Sequence, residues 1–185
     1  MRYFIAFVAF LLLIVLGLIF VFSHHSAPKK PAPIILTLPD YADRNSSVSM
    51  TIDGIVNGDD AHRAIRVTVN RDSRTLDIIQ GYSGRVIDTH TFANTKDAYD
   101  VFLRALNTAG FTTRLKKTTA PNDSRGLCPE GTRDIFNLSD NGDIVSNLWS
   151  STCSIGTFGG NPDVAQNLFQ RQITGYDDLT GSVEL

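Results

Sequence analysis

Apolar residues run unbroken from Tyr3 to Phe22, with no charge, no proline and a single glycine, Gly17. About 20 residues of α-helix span roughly 30 Å, the hydrocarbon thickness of a bilayer. Past Ile34 the pattern changes to alternation. Val48, Met50, Ile52 and Val56 fall on one face of a strand over Ser47–Val56, with Ser47, Ser49, Thr51 and Asp53 on the other. Ile65, Val67 and Val69 alternate with Arg66, Thr68 and Asn70 in the same way. Arg71–Arg74 reads as a tight connection into a third strand, Thr75–Gln80, and Tyr82–Arg85 as another into Val86–Phe92. A period of two with one polar face predicts an antiparallel meander packed on one side.

The period then lengthens. Tyr99, Phe102, Leu103 and Leu106 fall at i, i+3, i+4 and i+7, which predicts a helix with one buried stripe. Asn94 or Thr95 suits its N-cap, Asp97 its first turn, and Gly110 its left-handed end, with Phe111 packing back. Two further strands, Ile135–Leu138 and Ile144–Trp149, flank Asp140-Asn141-Gly142-Asp143. Asn-Gly favours a type I′ turn, because both central residues need positive φ. Cys128 and Cys153 then fall almost opposite each other at the open end of this hairpin, where a small bulge or loop permits a disulfide. A last helix starts at Asn161-Pro162, with Val164, Leu168 and Phe169 as its apolar face and Gly175 as its end. The polar tail, Asp177–Leu185, is expected to fray. The expected fold is α+β: an N-terminal transmembrane helix, then one antiparallel meander domain with two helices and a disulfide-clamped C-terminal hairpin.

Three segments follow: a signal anchor over 1–23, a Pro/Lys linker over 24–33 and an extracytoplasmic domain over 34–185. The apolar core exceeds the ~7–15 residues of a cleaved signal peptide. The only tolerable cleavage triplet is Val21-Phe22-Ser23, and cleavage after Ser23 would yield a secreted effector instead. Arg2 on one side and Lys29 and Lys30 on the other nearly balance the positive-inside rule. The two cysteines both lie beyond the anchor, and a disulfide needs an oxidising compartment, so the domain is expected outside the cell membrane. Without Arg2, Lys29 and Lys30, the 17 Lys+Arg become 14 against 19 Asp+Glu, a formal net charge of −5. That sign argues against nucleic acid as a partner.

Cys128-Pro129-Glu130-Gly131-Thr132-Arg133, Leu148-Trp149-Ser150-Ser151-Thr152-Cys153 and Gly156-Thr157-Phe158-Gly159-Gly160 carry a resemblance. The chain resembles small single-pass extracytoplasmic proteins of streamlined bacteria, which have no known function. The resemblance implies the anchor-plus-domain layout and adds no catalytic residue.

Catalytic patterns are sparse. The domain holds two histidines, His62 in a loop and His90 on a strand. No H-E-x-x-H or C-x-x-C spacing is present, so neither a zinc site nor another cofactor is expected. Asp59-Asp60 and Asp140–Asp143 depart from the calcium-loop pattern and suit turns. Arg114, Lys116 and Lys117, with Arg125 nearby, form the only basic cluster, and lysines there suit an edge strand that resists edge-to-edge association. With Trp149, Gly159 and Gly160 they make the candidate binding surface. The expected function is a membrane-anchored binding or scaffold module of a cell-envelope assembly, its partners the bilayer through 3–22 and an envelope protein. The alternative is a cell-surface hydrolase acting on an envelope or extracellular polymer through His90.

Overall fold

The computed structural model describes residues 36–185 together with 1, 4, 7–8 and 12–15. Phe4, Phe7, Val8 and residues 12–15 are helical and exposed. The anchor expected over 3–22 otherwise falls outside the described residues, as does the 24–33 linker. No helix among the described residues is long and apolar enough to cross a membrane.

Leu36–Leu185 forms one compact unit, built on the expected alternation. Its six strands are β1 (Ser46–Asp53), β2 (Arg63–Asn70), β3 (Ser73–Gln80), β4 (Arg85–Ala93), β5 (Arg133–Asp140) and β6 (Asp143–Ser151). They form a single antiparallel sheet in the order β4-β3-β2-β1-β5-β6. The first four strands are the meander. The last hairpin returns to the other side of β1, which places the first strand in the interior of the sheet.

Three α-helices connect or follow the strands: α1 (Lys96–Thr108), α2 (Pro162–Gln170) and α3 (Tyr176–Thr180). Thr95 caps α1, its side chain accepting from the Ala98 N–H at 3.2 Å. The helix closes in a Schellman motif. Phe111 N–H donates to the Leu106 carbonyl and Gly110 N–H to that of Asn107, with Gly110 at φ 76°. A short 3₁₀ helix, Leu38–Asp43, packs on α1, its start held by the Asp40 carboxylate, which accepts from the Thr37 N–H and hydroxyl.

Every helix that buries apolar side chains does so against the same face of the sheet. Val48, Met50, Ile52, Ile65, Val67, Val69, Leu76, Phe136 and Leu138 meet Tyr99, Phe102, Leu103, Leu106 and Phe169 in one core. Phe102 and Phe169 cross edge-on at 5.2 Å, as do Phe111 and Phe136 at 5.9 Å. This interlocking of rings fixes α1 and α2 over the strands.

The fold departs from the sequence pattern at several places. Val56 is exposed, because β1 ends at Asp53: Gly54 still bonds back to the Arg63 carbonyl, and Val56 N–H then turns away to that of Pro129. Strand β4, at the sheet edge, is exposed over most of its length, with His90 and Phe92 half-buried and Phe92 packing against the core. Helix α2 buries Ala165 and Phe169, while Val164 faces solvent. It stops at Gln170, and Gly175, at φ 71°, is the N-cap of α3. The tail is therefore ordered. Thr180 is buried, and Val183 and Leu185 pack against the core. A local reading cannot anticipate this, because the tail has few apolar residues and gains its order from the sheet beneath.

Candidate functional site

The strand registers assemble an uncovered polar face opposite the helices. Thr91 pairs with Thr75, Thr75 with Thr68, Thr68 with Ser49, Ser49 with Asn137, and Asn137 with Asn147. Directly paired residues in an antiparallel sheet point to the same side. A row of short hydroxyl and amide side chains thus crosses all six strands. One row over lie Thr89, Asp77, Arg66, Thr51, Ile135 and Trp149, the last fully buried beneath the loop at Pro121, so the face is open over β1–β4 and covered there at β6. In the open part of this row Asp77 is shared, accepting from Arg66 at 2.9 Å and from the Thr89 hydroxyl at 2.7 Å. The charges on this part of the face cancel. Within Leu36–Leu185 no helix lies on it. Asn137 Oδ1, in the row, is buried with no hydrogen-bond partner.

At one end the same face is closed by loops over a buried ionic cluster. Arg133, 1% exposed, donates to Asp53 Oδ2 at 2.7 Å, to the Gly54 carbonyl at 2.8 Å and to the Leu127 carbonyl at 3.1 Å. His62 contacts the other carboxylate oxygen, Nε2 to Asp53 Oδ1 at 2.8 Å, and the Ile55 carbonyl through Nδ1 at 3.1 Å. Tyr82 stacks on the imidazole, ring centroids 4.2 Å apart, and its hydroxyl bonds both backbone groups of Asn57. Both nitrogens of His62 are thus engaged by acceptors, and neither is presented to a substrate. The cluster ties the loop after β1 to the loop before β5. Sequence reading missed it, because its members are far apart along the chain. The available signal was an aspartate ending β1 and an arginine opening β5, both at positions in phase with the polar face.

The cysteines are joined in a disulfide with Cα atoms 5.7 Å apart. The hairpin turn has Asn141 at φ 52° and Gly142 at φ 89°, as a type I′ turn requires. Asp140 faces Asp143, and a bulge between Leu138 and Ser139 then shifts the register; β5 begins at Arg133 and β6 ends at Ser151, so both cysteines lie in the loops beyond the strand ends.

The other candidate residues gather in a packed junction. Trp149 is fully buried, its indole N–H donating to the Pro121 carbonyl at 2.9 Å. Its carbonyl accepts from Thr157 and Phe158, and Phe158 bridges to Arg114. A side chain on Gly159 would meet the Arg114–Leu115 backbone at 2.8 Å, and one on Gly160 the Gly110 carbonyl at 2.6 Å. These glycines serve close packing of backbones. Arg114, Lys116 and Lys117 are exposed, but in a loop; the sheet edges are β4 and β6. Arg114 donates to Asn122, and Arg125 pairs with Asp123, whose carboxyl it holds down at about 2. His90 lies on β4 with Nε2 3.0 Å from Asp88, and its ring bonds no hydroxyl or thiol among the described residues.

One carboxyl stands apart electrostatically. Asp134, on the helix-bearing side of β5, is pushed up to about 6 by burial, with the charge of Asp163 adding to the effect. Its cross-strand neighbour Ser150 has a buried hydroxyl oxygen with no partner. Among the described residues no three His, Cys, Asp or Glu side chains gather as a metal site would require. Compared with known proteins, the chain matches no family model and no curated protein.

Proposed function

We propose that the chain is a membrane-held binding or scaffold module of a cell envelope, which docks a protein partner on the uncovered face of its sheet. One observation carries the reading: a row of Thr, Ser and Asn crosses all six strands opposite the packed face. A sheet face without helices has its hydrogen-bonding side chains already aligned, so a partner meets little conformational cost there. The apolar run from Tyr3 to Phe22 suits an anchor, and the disulfide suits an oxidising compartment.

The test is affinity recovery of envelope proteins by the full-length chain in mild detergent, beside the variants Ser49→Arg and Thr68→Arg. Long charged side chains in the middle of the row should cut partner recovery at least about tenfold, equivalent to about 1.4 kcal/mol, with circular dichroism unchanged. Recovery of no partner, or recovery by both variants undiminished from that of the parent chain, would overturn the reading.

A further inference from the structure

Strand β4 is a free edge of the sheet, pairing only with β3 among the described residues. Beside it, on the helix-bearing side, a cleft of about 500 Å³ opens between the strand and the last turn of the chain. Ile78, Leu179 and Val183 line it with apolar surface, and Ile87, nearly half exposed, stands at the strand. Two acidic residues line it from opposite elements, Asp88 on β4 and Glu184 in the tail. Arg63, the cation lining the cleft, already donates to the carbonyls of Asp60 and His62 at 2.6 and 2.9 Å, and His90 sets Nε2 3.0 Å from Asp88 Oδ2. Asp88 also accepts from the Thr89 backbone N–H at 2.8 Å. A side chain thus satisfies an edge donor that, in an interior strand, a neighbouring carbonyl would satisfy.

We propose that the β4 edge and this cleft bind an extended basic peptide, which adds a strand to the sheet. Main-chain hydrogen bonds to β4 supply affinity, and alternate side chains supply selectivity. A lysine or arginine of the peptide sits between Asp88 and Glu184, and the residue two positions along lies apolar against Ile87. The Thr89 N–H passes from Asp88 to a peptide carbonyl, which leaves that carboxylate oxygen for the incoming cation. A second copy pairing through the same strand would bring its own Asp88 and Glu184, doubling the carboxylates at the junction, so charge favours a foreign segment. This site is separate from the uncovered polar face.

The probe is a fluorescein-labelled hexapeptide with threonine at its odd positions and lysine, valine and lysine at its even ones, so that lysine and valine share a face, titrated by anisotropy against the full-length chain in non-ionic detergent micelles. Empty micelles give the baseline. We expect saturable binding that weakens about tenfold or more in Asp88→Asn and in Glu184→Gln. Two comparison peptides, one with glutamate in place of each lysine and one N-methylated at alternate amides, should bind far more weakly. Equal binding of the lysine and glutamate peptides, undiminished binding of the N-methylated peptide, or no effect of the two variants would each overturn the proposal. So would self-association through β4 that the lysine peptide does not compete away.

Discussion

Asp134 shows how a single buried carboxyl sets a pH dependence. An exposed aspartate ionises near 3.9, whereas burial raises this one to about 6 in the folded chain. The folded state therefore holds its proton more tightly than the unfolded state does. Its contribution to stability is fully present below about pH 4 and is lost as pH rises through about 6. Asp134→Asn should therefore raise the stability of the domain at pH 7, by on the order of 2 kcal/mol. Thermal melts from pH 7 to pH 4 check this: the gain should shrink toward zero at the acid end, and a constant gain would show that charge burial is not its cause. Arg133 stands in contrast. Its guanidinium is hidden more deeply than the half-buried Asp134, yet a carboxylate and two carbonyls meet its terminal nitrogens, and Nε alone lacks a partner. Such a pair contributes little net stability, but loss of one partner leaves a charge stranded.

Among the elements, the C-terminal hairpin depends most on covalent support. Its turn is well encoded, but its outer strand β6 is an edge with Ile144 and Val145 exposed. The Cys128–Cys153 bond closes the loop that contains both strands. On the chain-entropy model, removing it with Cys128→Ser and Cys153→Ser together should cost about 3 kcal/mol. Urea titration of the double variant beside the oxidised parent measures this, and a midpoint unchanged within error would place the hairpin's stability elsewhere. Helix α1 illustrates the opposite case. Its cap, its buried stripe and its glycine end were all legible in the chain, because each depends on neighbours within a few residues. The 3₁₀ helix Leu38–Asp43 was also legible in principle, since Thr37, Pro39 and Asp40 form a start signal. It is short, however, and its burial comes from packing on α1.

At the scale of the whole molecule, two layers make the two sheet faces energetically unlike. Truncations on the helix-bearing face leave cavities in a close-packed core, so Met50→Ala and Leu76→Ala should each cost about 2–5 kcal/mol. On the opposite face Ser49→Ala and Thr75→Ala remove partly solvated hydroxyls and should change stability by under about 1 kcal/mol. Chemical denaturation of the four variants checks the asymmetry; comparable losses from both faces would mean that the polar face is covered by something that stabilises the fold. The same layering explains why the tail from Asp177 is ordered, as it closes over sheet residues left bare by α1 and α2.

Periodicity, caps and turn chemistry establish the strands, the two longer helices, the Asn-Gly hairpin and the nearness of the cysteines, because each is decided by interactions local in sequence. Which strands neighbour one another was not decided locally. The pairing of β1 with β5 spans the whole of β2–β4 and α1, and only that closure brings Asp53 to Arg133. It also lines up the Ser, Thr and Asn side chains across six strands, buries Trp149 under Pro121 and leaves β4 as a free edge beside a cleft. Alternation states which side chains share a face within a strand. What that face meets depends on long-range register and on where the helices come to rest.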